Sequence, residues 1–243
     1  MKFETLIIGS GYYSLGYAST HTRTLITEET QLLDPHFGGT LSGFMMKTQI
    51  PADGGARKLY DAFVKEELIG DGKLSVSELE GALCRFAQKD MPNILLGSFC
   101  TKITRLAGGY EVEVCNNSGV TVVHVDKIID TRVPAGDKIN LLVALKDKQL
   151  PDIETVSPAF YDDQCVVSFK LEQGSNINRA KSEAVKKYLG ALLAVGARIA
   201  DVSYRTYGAE LFERFVDSNG ILHVDERAFD DIFAAYGKGE TEI

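Results

Sequence analysis

The chain has no C-x-x-C pair: its four cysteines, Cys84, Cys100, Cys115 and Cys165, stand well apart. An iron–sulfur, zinc or thioredoxin-like site therefore has no support, and no metal is expected. Positive charge is scarce too, with 26 Lys and Arg against 34 Asp and Glu for a net charge of −8. Nucleic-acid backbones and anionic membranes both call for a concentrated positive field, so neither is an expected partner. The uncharged stretch 5–22 is interrupted by Gly9, Gly11 and Gly16 and has only Lys2 before it. It reads as neither a signal peptide nor a membrane span, and reduced thiols in a cytoplasmic protein are the matching expectation. The patterns G-x-S-x-G, H-E-x-x-H and G-K-[ST] are missing, which removes several hydrolase and NTPase classes. Internal repeats and low-complexity blocks are absent as well.

What is present fits a globular α/β protein. Hydrophobic residues make up 44% and charged residues 25% of 243 positions, enough chain for one large domain with a small second lobe. Phe3–Ile8 reads as a buried strand, Tyr12–Ser19 as a short helix and Thr24–Thr27 as a second strand. Irregular chain is expected from there through Asp53-Gly54-Gly55, then helices over Leu59–Leu68 and from a Ser77 cap to about Lys89. Asn93–Leu96 and Cys100–Leu106 read as strands. Tyr110–Cys115 and Val120–Val125 alternate apolar and polar residues about a Gly-containing turn, a hairpin pattern. Lys127–Asp130 is strand-like. Polar linker is expected to Pro158, then a strand at Cys165–Leu171, a helix over Asn178–Val195 and a strand at Arg198–Ser203. The tail reads as a helix near Ala209–Val216, a strand Ile221–Val224 and a helix Ala228–Tyr236. Strands alternating with helices indicate a parallel α/β sheet.

The strongest motif lies at the start: Leu6-Ile7-Ile8-Gly9-Ser10-Gly11-Tyr12-Tyr13-Ser14, continuing to Ala18. It is a strand, a glycine turn and a helix, spaced G-x-G-x-x-S. The first glycine permits the tight turn, the second lets a pyrophosphate approach the backbone, and small Ser14 and Ala18 allow close helix–sheet packing. The helix N-terminus offers unpaired N–H groups to phosphate. Glu28, 19 positions after Gly9, and its neighbour Glu29 stand where an acid would meet an adenosine ribose.

With these residues the chain resembles the FAD-dependent oxidoreductases that have the glutathione-reductase-type flavin fold. Phe37-Gly38-Gly39-Thr40-Leu41 resembles that superfamily's glycine-rich loop near the flavin. Val76–Gln88 and Ile94–Ile103 resemble its helix and adenine-contacting strand, with Cys100 and Thr101 near the contact. Tyr110–Val125 resembles its β-meander. Ile128-Ile129-Asp130-Thr131-Arg132 matches its Asp-Ala-Thr-Gly strand end, with the alanine and glycine replaced. Leu222-His223-Val224-Asp225 is similar to its last strand, with Asp225 facing the ribityl chain and Val224 in place of a glycine.

The resemblance covers 1 to about 133 and, less fully, 220–237. It implies FAD as cofactor, a Rossmann-like FAD-binding domain with parallel sheet and β-meander over 1–139 and 220–243, and a small α+β inserted substrate or interaction lobe over 140–219. The cofactor would be held through Gly9, Gly11, Tyr12, Tyr13, Ser14, Glu28, Glu29, Gly38, Gly39, Thr40, Cys100, Thr101, Asp130, Thr131 and Asp225.

The expected activity is hydride or electron transfer between a small organic substrate and an acceptor through the flavin. No second glycine fingerprint and too little chain remain for a nicotinamide domain, so a homo-oligomer or partner subunit could complete the active site. No residue stands out as catalytic. His36 beside Gly38 could transfer protons, yet suits a surface loop better. Cys100 lacks the neighbours of a redox thiol. Arg198, Tyr204, Arg205 and Tyr207 could bind an anionic substrate, though scattered Arg and Tyr are common on strands. A second reading is a non-catalytic flavin-fold descendant acting as a structural or regulatory partner, favoured by the replaced residues at Ser14, Arg132 and Val224. A third, a nicotinamide-dependent Rossmann enzyme, is disfavoured by the meander.

Overall fold

The chain is described by a computed structural model covering residues 2–33, 45–70, 73–75, 79–90, 93–132, 138–145, 156–161, 164–170, 177–202 and 212–242. It opens with β1 (Thr5–Ile8), α1 (Tyr12–Thr20) and β2 (Thr24–Glu28). A small sheet and two helices follow: β3 (Met45–Lys47), α2 (Gly54–Lys65), β4 (Ile69–Gly70), β5 (Lys73–Ser75) and α3 (Leu79–Asp90). Next come β6 (Ile94–Leu96) and the meander β7 (Phe99–Leu106), β8 (Gly109–Asn116) and β9 (Gly119–Val125). The chain then runs through β10 (Lys127–Asp130), β11 (Lys138–Ala144), β12 (Val156–Tyr161), β13 (Gln164–Lys170), α4 (Ile177–Ala194) and β14 (Arg198–Val202). It ends with β15 (Arg214–Val216), β16 (Leu222–Val224), a 3₁₀ turn (Glu226–Ala228) and α5 (Ile232–Glu240).

The main sheet is six-stranded, in the order β15-β16-β10-β1-β2-β6. All its pairings are parallel except the edge strand β15 on β16. Successive side chains of a strand point to opposite faces, and here both faces are covered. Leu6, Ile8, Leu25 and Ile128 pack against Tyr110, Val112, Val114, Val123 and Val125 of the meander. Ile7, Ile26 and Ile129 pack on the other side among residues of α1, α2, α3 and α5. This double burial is why Leu6-Ile7-Ile8 in β1 and Ile128-Ile129 in β10 are apolar without alternation. The architecture is therefore a Rossmann-type parallel sheet sandwiched between a β-meander and a helical layer.

Helix α1 is wedged between the sheet and α5, with Tyr12 to Tyr17 all buried. Two glycines make that approach achievable. A Cβ on Gly16 would run into the carbonyl oxygen of Tyr236, and one on Gly239 into the carbonyl oxygen of Tyr13. Helix α2 buries Ala56, Leu59, Tyr60 and Phe63, the spacing of one helical face.

Strands β11 to β14 form a separate antiparallel sheet in the order β12-β13-β11-β14. Ile139, Leu141, Val143, Leu145, Cys165 and Val167 cluster with Tyr188, Leu192 and Ala197. The expected polar linker to Pro158 is thus wrong at 138–144 and from Val156 on, where strands run instead, while 146–155 lie outside the described residues. Every second residue from Ile139 to Leu145 is apolar and buried, and the short run is flanked by the charged residues Asp137-Lys138 and Lys146-Asp147-Lys148. The expected irregular chain holds over 48–53 but not at 45–47 or from Gly54 on. β3 pairs with β5, and α2 starts at Gly54, because the distant Glu240 carboxylate caps Gly55 N (2.8 Å) and Ala56 N (3.0 Å).

The helix expected near 209–216 gives way at 214–216 to strand β15, whose Phe215 stacks on His223 at 4.7 Å. Pairing with β16 satisfies backbone groups that a lone helical turn would leave open. The last helix starts at Ile232 rather than Ala228. Asp231 is its N-cap, accepting from the N–H groups of Phe233 and Ala234.

Candidate functional site

Because β16, β10, β1, β2 and β6 all run the same way, their carboxyl ends share one edge of the sheet. From β1 the chain passes to β2 on one side, while β10 lies on the other. Such a switch point, with a helix N-terminus above it, is where open α/β sheets bind ligands. The loop Gly9–Gly11 and the start of α1 occupy this position.

Gly9 has φ +108°, and a Cβ there would lie 2.5 Å from Thr131 Oγ1. Ser14, at the third-glycine position, ties the motif together: its hydroxyl donates to Gly9 O (2.9 Å) and lies 3.0 Å from Thr131 Oγ1. Thr131 N in turn donates to Ile8 O at 2.9 Å.

Glu28 is buried at the end of β2. Its Oε2 accepts from Ser10 N (3.1 Å) and Ser10 Oγ (3.2 Å), and its Oε1 from Thr30 N (2.9 Å). Glu29 points outward and meets Arg132 at 2.8 Å, while Arg132 also binds both oxygens of Asp130 (3.0 and 2.7 Å). This pair of carboxylates holds the Arg132 guanidinium charge firmly. Cys100 Sγ lies 3.5 Å from Thr27 Oγ1, and burial pushes its thiol up; it is no activated thiolate. Thr101 is exposed and donates to Glu113 O at 3.2 Å. Asp225, fully buried, accepts from Arg227 N (3.1 Å), Nε (2.8 Å) and the terminal nitrogen (2.6 Å).

Reading the sequence missed Glu226. It is 1% exposed, and its carboxylate lies against the N-terminus of α1, accepting from the backbone N–H of Tyr13 at 3.3 Å and from that of Tyr12. Its Oε1 has no hydrogen-bond partner among the described residues. Burial, helped by the negative charges of Asp225 and Glu28, pushes its pKa up to about 7. A Cβ on Gly11 would collide with this carboxylate. The space that the second glycine leaves open is therefore filled by an anion from this chain. A pyrophosphate does not fit there while Glu226 stays in place. Beside Asp225 a second acid was the available signal, but only three-dimensional proximity links it to Gly11.

Of the expected cofactor residues, Gly9, Gly11, Tyr12, Tyr13, Ser14, Glu28, Asp130, Thr131 and Asp225 gather at or beside this sheet edge. Glu29 and Cys100 border it through Arg132 and Thr27. Gly38, Gly39, Thr40 and His36 lie outside the described residues, as do Tyr204, Arg205 and Tyr207. Among the described residues no cluster of three or more metal-ligating side chains occurs, and no helix is long and apolar enough to cross a membrane.

The fold recurs in solved structures. The anhydrotetracycline hydroxylase from Streptomyces rimosus superposes with a TM-score of 0.57 at 14% identity, over 92% of this chain and 56% of its own. A flavoprotein/dehydrogenase from Cytophaga hutchinsonii gives 0.54 at 12%, over 99% and 76%. The p-nitrophenol 4-monooxygenase from Pseudomonas putida gives 0.52 at 10%, over 91% and 71%. The fold is that of flavoproteins. No family model and no curated protein matches the sequence. The chain spans between about half and three quarters of these flavin-fold neighbours.

Proposed function

We propose that this chain is an FAD-binding oxidoreductase, moving hydride or electrons between a small organic substrate and an acceptor. The observation that carries this reading is the convergence of the Gly9–Gly11 turn, the α1 N-terminus, Glu28, Asp130-Thr131 and Asp225 on one switch point of a flavoprotein fold. Residues 1–139 and 220–243 would form the dinucleotide unit, and 140–219 a substrate or interaction lobe. When bound, the flavin would supply the redox chemistry. The chain's part is then to bind and orient the dinucleotide, through Gly9, Gly11 and the α1 amides on the phosphate side and Glu28 on the ribose side. Because Glu226 fills the phosphate space, this assignment applies to a state in which that side chain has moved.

A second reading, a non-catalytic flavin-fold partner, is favoured by one specific observation: Glu28, Asp130 and Asp225 are each engaged by donors of the chain itself. Flavin uptake separates the two. The purified protein mixed with FAD should carry flavin absorbance through gel filtration, and Gly11→Val should lose it. Colourless protein for both the wild type and Glu226→Ala after FAD addition would refute the oxidoreductase reading.

A further inference from the structure

We infer that Glu226 is an intramolecular plug: its carboxylate stands in for a phosphate at the N-terminus of α1 and must leave before a dinucleotide can bind. The inference builds on the FAD reading for its ligand, but the plug itself stands on geometry. Helix α1 is nine residues long, and its first amides converge on a single side chain that is 1% exposed. One of that side chain's oxygens is buried without a partner among the described residues. A carboxylate placed for its own sake would have both oxygens satisfied. Here the second oxygen faces the space above Gly11, where a larger anion with more acceptors would use the same donors.

The plug has a defined response to pH. The charged groups around Glu226 are Asp225 on the same turn, whose charge is balanced by Arg227, and Glu28 on β2. α1 contributes only backbone amides. Among the described residues, two carboxylates and burial make this pocket favour protonated Glu226. In solvent the same side chain ionises readily. Proton binding therefore stabilises the plugged state, and rising pH favours departure of the ionised carboxylate and entry of the ligand. If Glu226 instead remained beside a bound phosphate, like-charge repulsion would weaken binding as pH rises. The two arrangements have opposite signs.

The test uses FAD as probe, measured by quenching of flavin fluorescence at pH 6 and pH 8 on the whole chain, for wild type, Glu226→Ala and Glu226→Gln. Glu226→Ala should bind at least tenfold more tightly than wild type at pH 6. Wild-type affinity should rise toward pH 8, and Glu226→Gln, which cannot ionise, should show no such rise. Equal affinities for wild type and Glu226→Ala, or a wild-type affinity that falls with pH, would overturn the plug. Hydrogen exchange at the Tyr12 and Tyr13 amides of ligand-free protein gives a second readout, needing no flavin. Exchange at least tenfold faster in Glu226→Ala is expected, and unchanged exchange would also overturn the plug. If no variant takes up FAD while those amides do exchange faster, the plug stands and the FAD reading fails.

Discussion

Glu226→Gln should change how stability depends on pH, by an amount that follows from where the carboxyl lies. Its pKa rises from an ordinary 4.5 to about 7 in the fold, with desolvation the largest cause. A carboxyl raised on folding binds its proton more tightly in the native state than in the unfolded chain. Native protein therefore holds more protons between the two values, and stability falls as pH rises through that window. At about 1.36 kcal/mol per pKa unit, the wild type should lose about 3 kcal/mol between pH 4.5 and pH 7 through this group alone. Gln keeps the size of the side chain and an acceptor for Tyr13 N but has no charge to desolvate. Titrations remote from this pocket are common to both proteins, so the difference between their curves reports Glu226 together with its effect on the neighbouring carboxylates Asp225 and Glu28. Urea unfolding at half-unit steps from pH 4.5 to 8.5 should show Glu226→Gln gaining on the wild type by roughly 2–3 kcal/mol as pH rises, then running level with it above pH 7. A constant offset, whatever its sign, would report only the swap of an acid for an amide. Parallel curves across the whole range would refute the argument that Glu226 is forced to ionise in a buried site.

Gly9→Ala should cost about 2 kcal/mol or more in urea melts, since φ +108° and the 2.5 Å approach of Thr131 Oγ1 oppose any side chain there; a loss under about 0.5 kcal/mol would contradict the turn geometry. Gly16→Ala should destabilise by roughly 1–3 kcal/mol, because the new methyl meets the Tyr236 backbone and α1 must lift from α5. Combined with Gly239→Ala it should cost less than the sum of the two, since one separation relieves both contacts; strict additivity in a double-mutant cycle would place the clashes elsewhere. Glu240→Ala removes the cap on Gly55 and Ala56 and should cost about 1 kcal/mol, with faster amide exchange confined to the first turn of α2.

Where the fold was legible in the sequence, one local rule matched the final environment. Leu6-Ile7-Ile8 of β1 and Ile128-Ile129 of β10 are apolar without alternation because both faces of the sheet are covered, and the 110–125 hairpin alternates because one face is open. The misread segments depended on partners far along the chain. α2 begins five residues earlier than its apolar periodicity suggests because its cap is Glu240. Residues 214–216 have helix-compatible spacing but become an edge strand because β16 offers open backbone groups. β11 was hidden because the charged residues on both sides, Asp137-Lys138 and Lys146-Asp147-Lys148, outweighed the short apolar run Leu141–Leu145 between them. The same limit applied at the site. Gly9, Gly11, Ser14 and Glu28 could be read from spacing, whereas Glu226 lies 215 positions after Gly11 and reaches it only because β16 returns beside β10.

A glycine turn feeding a helix predicts a place for negative charge, because unpaired N–H groups and the helix dipole attract any anion that can reach them. It does not specify whose anion. In this chain the nearest one is covalently attached, so its effective concentration at the site is high and a phosphate from solution must compete with it. The competition is uneven. The tethered carboxylate is poorly solvated, shares its surroundings with Asp225 and Glu28, and leaves one oxygen unpaired, while a pyrophosphate brings more acceptors for the same amides. An occupant that is easy to deliver and costly to keep charged suits temporary occupation. That asymmetry ties the raised carboxyl and the crowded Gly11 to a single physical cause.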